Sequence, residues 1–321
     1  MRSGAGSFAS GGFGLTEPAS LMSSEFPNRS VRYVVPFRPG GPPDAIARIV
    51  LQGLSSLWGQ PVVIDNRPGV NGNAGSELVA SSPPDGYTLL QGTSATHGSN
   101  VVLFPLLALE PFKDLAPVIP LIEGPMFLAA SAKQPFRRLQ DLLAYVRSRP
   151  GEVRFATAGP GSPHHLAGEL FRIRAEVDIV PVHYVGAAQA LRALMQDDVE
   201  IYFGSDFSAH PDAAGLPLLG VSTRWRWPFA PGVPTMVECG IADFEIHGWF
   251  GVFAPAGTPV KIIERINEDL NRVLIQEQVA SGIRLFGYRS LGGSPAEFAV
   301  RLERERIYWS DLVRRNGLTL G

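Results

Sequence analysis

The sequence predicts an α/β protein made of two similar halves, each a mostly parallel sheet flanked by helices. Two observations carry this. Apolar runs of strand length alternate with amphipathic stretches of helical spacing over residues 31–90, and again over 139–221. Between them, over 111–130, the alternation lapses into extended apolar runs with no long helix, read as strands passing from one domain to the next. The two alternating halves read as a loose structural duplication.

Taken in order, residues 31–37 form a strand that ends in Arg38-Pro39-Gly40-Gly41-Pro42-Pro43. A helix over 44–57 follows, with Ile46, Ile49, Val50 and Leu54 on one face and Gly59-Gln60 ending it. Residues 61–65 are a short strand, 66–73 a turn-rich loop and 74–80 a short helix. Pro83-Pro84-Asp85-Gly86 is a turn before a third strand at 87–90, which runs into the polar loop 92–97. The crossing strands are 116–121 and 125–130.

The second half repeats the scheme: helix 139–147, strand 153–156, the loop Thr157-Ala158-Gly159-Pro160-Gly161-Ser162 and helix 163–174. Strand 179–184, helix 187–195, strand 199–203 ending in Gly204-Ser205-Asp206, and strand 216–221 complete it. A return strand at 246–254 precedes two amphipathic helices. One spans 259–279, with Ile262, Ile266, Leu270 and Val273 on one face. The other spans 294–315 and is capped by Ser294. The domains are therefore 28–124 with 246–321, and 125–245, after a flexible Gly/Ser-rich leader over 1–27.

Composition narrows the function classes. With 321 residues, 45% of them apolar and 18% charged, the chain can bury two cores. A formal net charge of -2 and no basic run argue against nucleic acid. No run reaches the roughly 18–20 apolar residues of a membrane span. Cys239 is the single cysteine, so neither an intrachain disulfide nor a cysteine metal site can form. Glycines break any secretory apolar region in the leader.

Four loops share a description: 38–44, 92–97, 157–165 and 204–206 each follow a strand and are rich in Gly, Ser, Thr or Asp. Ligands of open α/β sheets bind beyond the strands' carboxyl ends, so two sheets facing each other would bring all four loops to one cleft. The helix beginning near Asp44 is expected to offer main-chain N–H groups and a partial positive charge to an anion, a carboxylate above all. Ser162 is a sound cap for the helix beginning at Pro163, with His164 and His165 in its first turn. Enzyme readings lack their signatures. Gly161-Ser162-Pro163-His164 is not a nucleophile elbow, and no dinucleotide or phosphate loop exists. His164 and His165 lack metal-ligand spacing, and His183, His210 and His247 are scattered, so no cofactor or metal is expected.

At this point six segments, in order, carry a resemblance. Val35-Pro36-Phe37-Arg38-Pro39-Gly40-Gly41-Pro42-Pro43-Asp44 resembles the opening motif of the Bug-type solute-binding proteins, the receptors of tripartite tricarboxylate transporters. Asn66-Arg67-Pro68-Gly69 with Gly72-Asn73, and Asp85-Gly86-Tyr87-Thr88 with Gly92-Thr93, are similar to two further family segments. So are Gly161-Ser162 with His165-Leu166-Ala167-Gly168-Glu169, Val233-Pro234-Thr235, and Trp249 through Pro259.

The resemblance implies a two-lobed periplasmic-binding-protein-like fold of type II, hinged by two crossing strands and closing over a small carboxylate. It implies a non-catalytic monomeric receptor in the periplasm that serves membrane permease subunits without itself entering the membrane. A ligand sensor for a signalling system, a cytoplasmic location, and a hydrolase or isomerase using Ser162 and His165 are the alternatives. Carried across, the ligand residues are Phe37, Pro39, Gly40, Gly41, Asp44, Thr157, Ala158, Gly159, Ser162 and His165. The remaining loops and the next strand end add Gly92, Thr93, Ser94, Tyr184, Gly204 and Ser205. The chain departs from the family at His183-Tyr184-Val185-Gly186, where Pro-Tyr-Lys-Gly is common, and at Gly204, where the strand often ends in Asp. A less charged cleft results, which puts monocarboxylates and aromatic acids on a level with dicarboxylates.

Overall fold

A computed structural model of the chain describes residues 26–103, 109–205, 207 and 211–316. Residues 1–25 of the expected leader (1–27), and Asp206 and His210, lie outside the described residues; Phe26, at the end of that leader, is buried in the first core rather than flexible.

In the first half, β1 (Val31–Val35), α1 (Pro42–Trp58), β2 (Val62–Asn66), α2 (Asn73–Ala80) and β3 (Thr88–Thr93) follow the expected alternation. A π-turn at Ala95–Ser99, then α3 (Asn100–Leu103) and α4 (Pro111–Asp114), lead to β4 (Leu115–Pro125). One residue, Met126, separates β4 from β5 (Phe127–Ala130). The second half then runs α5 (Leu139–Ser148), β6 (Val153–Thr157), α6 (Pro163–Arg174), β7 (Ile179–His183), α7 (Ala187–Gln196), β8 (Ile201–Gly204) and β9 (Leu218–Val221). The chain returns along β10 (His247–Pro255), then α8 (Val260–Leu274), α9 (Glu277–Leu285), β11 (Arg289–Ser290) and α10 (Pro295–Asn316).

These strands make two sheets, in the orders β11-β4-β10-β3-β1-β2 and β7-β6-β8-β5-β9. The same scheme recurs in both. Three parallel strands (β2-β1-β3 and β7-β6-β8) are followed by one reversed strand, β10 or β5, and then a fourth strand antiparallel to it. The reversed strand is in each case the one that has just arrived from the other sheet. Strands such as β1 and β6 point their carboxyl ends toward the junction, so a chain entering from the junction must run the other way. The sheets are thus mostly parallel in strand direction but mixed in pairing.

The junction is tied by one side chain. Ser222 is fully buried. Its hydroxyl accepts the Met126 N–H at 2.8 Å and donates to the Ile246 carbonyl at 2.5 Å. Its main chain pairs with the same two residues, at 2.9 and 3.3 Å. Both crossings are therefore clipped side by side. One core, built on Val31, Ile46, Val50, Ile119, Ile266 and Leu270, fills the first half; another, built on Leu128, Leu142, Phe155, Leu170 and Phe203, fills the second. Trp309 of α10 packs into that second core, so the last helix spans both.

Two expected elements differ. The single helix over 259–279 is broken: α8 stops at Leu274, Gln276 is extended (φ -66°, ψ 130°) and α9 starts afresh. No Gly or Pro marks the break. It lets Val279 and Ile283 turn into the first core while Ile275 stays out in solvent. The third strand extends to Thr93, so Gly92 and Thr93 belong to β3 rather than to the loop.

Candidate functional site

The first expected jaw is Phe37 through Asp44. Gly40 adopts φ 85°, open to glycine at no steric cost, and nothing stands within 4 Å of where a Cβ would project. Pro39 and Gly40 are exposed and Phe37 and Gly41 half-buried, so this loop forms a lip. Asp44 is buried and fully engaged. It accepts the Gly40 N–H at 3.0 Å, Arg48 at 2.9 and 3.1 Å, and the Asn66 amide at 3.1 Å. Burial acts to raise its pKa, but the hydrogen bonds from Arg48, Gly40 and Asn66 outweigh burial and hold the carboxyl below its ordinary value. Asp44 therefore shapes the loop from behind. The expectation of a donor-rich helix start needs correction as well. Pro42 and Pro43 occupy its first two positions, and proline has no N–H.

Gly92, Thr93 and Ser94 are packed into the framework. A Cβ on Gly92 would lie 2.3 Å from the Phe253 ring. The Thr93 hydroxyl accepts the Ala95 and Thr96 N–H groups at 3.2 and 3.3 Å, and the Ser94 N–H binds the Trp249 carbonyl at 3.1 Å. This segment leads to His97, fully buried and stacked 3.7 Å from Phe253. Burial pushes its pKa down to about 3, so the ring is neutral, and its Nε2 has no partner among the described residues.

The second jaw is better supplied. Ser162 caps α6, its hydroxyl accepting the His165 N–H at 3.3 Å. The Gly161 N–H donates to His165 Nδ1 at 3.1 Å. Gly159, at φ 119°, gives its N–H to the Thr157 hydroxyl at 3.2 Å. That hydroxyl lies 2.6 Å from His183 Nδ1, and the His165 and His183 rings meet edge to face at 4.9 Å. Ala158 is half-buried beside them, and the Tyr184 N–H binds the Thr157 carbonyl at 3.0 Å. The Ser162 hydroxyl thus meets the His165 main chain, not its imidazole, whose Nδ1 faces Gly161.

The two jaws are joined by residues outside the expected set. Asn71, in the left-handed region at φ 53° and ψ 33°, sits on a turn at Val70–Gly72. Its side-chain amide donates to Asn100 Oδ1 at 2.8 Å and, across the lobes, to the Gly161 carbonyl at 3.3 Å. Asn100 in turn donates to Asn73 Oδ1 at 2.8 Å. Behind them Gly72 lies against Phe37 and Thr96, where a Cβ would come within 3.2 and 2.6 Å of their carbons. Phe37, Asn71, Gly161 and His165 therefore form one constellation across the cleft. The Asn71-Gly72 pair carried a readable signal, because asparagine tolerates the left-handed region before a turn glycine.

Ser205 and Gly204 stand apart from it. A Cβ on Gly204 would strike the Tyr202 ring at 2.3 Å. The Ser205 hydroxyl meets Tyr288 Oη at 2.8 Å and lines a cavity of about 250 Å³ with Phe127, Trp227 and Arg284. Among the described residues, no group of three or more His, Cys, Asp or Glu side chains is placed to hold a metal.

Two lobes joined by paired crossings, with loops from both meeting across a cleft, define a small-molecule receptor of the periplasmic-binding-protein type. The comparisons place it further. Residues 46–294 match the model of the tripartite tricarboxylate transporter family receptor, and the chain belongs to that family. It is 36% identical over 291 residues to a UPF0065 protein from the tcbD-tcbE intergenic region of Pseudomonas sp. strain P51, covering 90% of this chain and 86% of that one. It is 33% identical to Protein BugT of Bordetella pertussis, covering 94% of each. Among solved structures, R. palustris Rpa4515 with adipate superposes at TM-score 0.86 and 34% identity, over 92% of this chain and 99% of that one. MatC from Rhodopseudomonas palustris with bound malate does so at 0.82 and 33%, over 90% and 100%. The expected fold class and receptor family are borne out.

Proposed function

We propose that this chain is an extracytoplasmic receptor that closes its two lobes over a small organic carboxylate and presents the closed form to membrane permease subunits. The observation that carries this is the direct bond from Asn71 of one lobe to Gly161 of the other, beside the loop that holds His165. The likeness to structures with adipate and malate supports the ligand class. The lobes are residues 28–124 with 246–321, and 125–245, in line with the two sheets. Ligand contacts come from Phe37, Pro39, Gly40 and Gly41 on one side. On the other they come from Thr157, Ala158, Gly159, Ser162, His165 and Tyr184. Closure is a population shift, since the ligand bridges the lobes only when they meet.

A non-catalytic role is supported by the Ser162 geometry: its hydroxyl caps a helix and has no imidazole base aligned on it. No helix among the described residues is long and apolar enough to cross a membrane, which accords with a receptor that meets its permease from outside the bilayer. The test is a thermal-shift panel of mono-, di- and tricarboxylates, adipate and malate included. A ligand at 100 times its Kd stabilises the native state by about 2.7 kcal/mol. The reading fails if no acid shifts the melting temperature and none co-purifies.

A further inference from the structure

We propose that His183 joins His165 as a second imidazole N–H donor for a carboxylate end of the solute. This rests on the receptor reading above. His183 is the register partner of Thr157. The two residues end adjacent parallel strands, on the sheet edge that meets the other lobe. At this position the chain departs from the common family segment, so the pair is a property of this sequence.

The neighbours of each ring fix its tautomer. A main-chain N–H can only donate, so the bond from Gly161 makes His165 Nδ1 an acceptor and places the proton on Nε2. The Thr157 hydroxyl is fully buried and already accepts the Gly159 N–H. Buried, that hydroxyl still has its own proton to place, and His183 Nδ1 at 2.6 Å is the acceptor it meets, which assigns the ring proton to Nε2. Neither Nε2 has a partner among the described residues; His183 is itself exposed, and His165 Nε2 is not among the sealed polar atoms, so both can meet a ligand. With the ring centroids 4.9 Å apart, edge to face, the two imidazoles are close enough for one carboxylate to accept from both.

The donors stay neutral. Burial lowers the pKa of both imidazoles, and His183 lowers that of His165 further. Glu169, one turn along α6, opposes this for both rings, but it is itself paired with Arg172 at 2.8 Å. A cationic clamp would tighten as pH falls through the ordinary histidine range. With both pKa values shifted down, this pair donates as neutral imidazoles at pH about 7 and selects acids by geometry rather than by net charge.

The experiment uses adipate as the probe and the intact chain. Nitrogen-15 long-range spectra of the imidazoles should show Nε2–H tautomers for both residues at pH about 7, with both Nε2 signals moving on adding adipate. Calorimetry should show His183→Phe weakening adipate roughly tenfold, the scale of one lost hydrogen bond. His183→Gln, which keeps a side-chain N–H, should stay within about threefold of wild type. His183→Gln, whose carbonyl can still accept from Thr157, should melt close to wild type, whereas His183→Phe leaves that buried hydroxyl without its acceptor and should melt lower. Affinities are therefore compared at a temperature where every variant is folded, which separates recognition from folding. Either ring in the Nδ1–H form, or His183→Phe binding adipate as wild type does, overturns the proposal while leaving the receptor standing. If no acid in the panel shifts the wild-type protein, the receptor reading falls, and the tautomer spectrum alone decides whether the donor pair exists.

Discussion

Asn71 holds a backbone conformation that costs most residues about 1–2 kcal/mol, and spends its amide on both lobes. Two substitutions separate these roles. Asn71→Gly keeps the left-handed turn and removes both hydrogen bonds, so carboxylate affinity should fall several-fold with little change in stability. Asn71→Ala loses the same bonds and adds strain, so it should unfold about 1 kcal/mol more easily than the glycine variant in urea titrations. Equal stabilities would show that the turn is unstrained. The residue scale is also where the sequence was least legible. Asp44 reads as a ligand carboxylate, yet Arg48, Asn66 and the Gly40 N–H consume its oxygens. Arg48 is one helical turn away and so foreseeable. Asn66 lies on another strand and is not.

At the scale of elements, helix pairs lock the first lobe through one buried acid. Asp269 of α8 is fully buried and accepts the Trp58 indole N–H of α1 at 2.8 Å, with Arg265 at 2.6 Å and Arg272 at 3.2 Å. Without Asp269 the exposed Arg265 and Arg272 return to water, but the buried Trp58 indole N–H is left without its acceptor, which costs about 1–3 kcal/mol. Asp269→Ala should therefore lower stability on that scale, and Asp269→Asn, which still accepts from Trp58, by clearly less. The apolar face of α8 was plain in the sequence, whereas its acidic anchor needed the facing helix to be known.

Helix α10 carries a second acid, half-buried as a residue but with its carboxyl enclosed. Glu305 accepts both the Trp249 indole N–H of β10 and the Trp309 indole N–H. Burial pushes its pKa from 4.5 up to about 7, against Arg301 and the two indoles, which lower it. The folded state thus binds this proton more tightly than the unfolded chain. Its contribution is fully present below the unfolded value of 4.5 and is lost as pH rises toward about 7. The total loss is about 3 kcal/mol. Glu305→Gln should flatten that part of the stability–pH profile and stabilise the protein at pH about 8. An unchanged slope would show that Glu305 keeps its ordinary pKa.

At the scale of the whole molecule, both sheets accept an incoming strand in reverse, and Ser222 pins the two crossings together. A hinge clipped this tightly confines motion to rotation of the lobes about it. Small-angle scattering should therefore show a smaller radius of gyration with a bound acid than without. Identical profiles from the two samples would argue against closure. Ser222→Ala strips one acceptor and one donor from buried crossings and should cost about 1–3 kcal/mol, read as a lower melting temperature.

The sequence by itself determined the alternation of strands and helices, the crossing between lobes and the family, because hydrophobic period, turn residues and ordered motifs are local. It also singled out the two loops proposed as jaws, since glycine-rich loops at strand ends are local signals too. Only the tertiary structure decided which polar groups in those jaws remain available. Asp44 and Thr93 spend their side-chain oxygens on their own framework and Asn71 spends its amide on bridging the lobes, whereas the Nε2 atoms of His165 and His183 have no partner among the described residues. The physical reason is that a hydrogen bond made at home cannot be given to a ligand, and the partners that claim it come from distant parts of the chain. The break between α8 and α9 is of the same kind: no residue type forbids a helix there, and only the core they wrap decides where it bends.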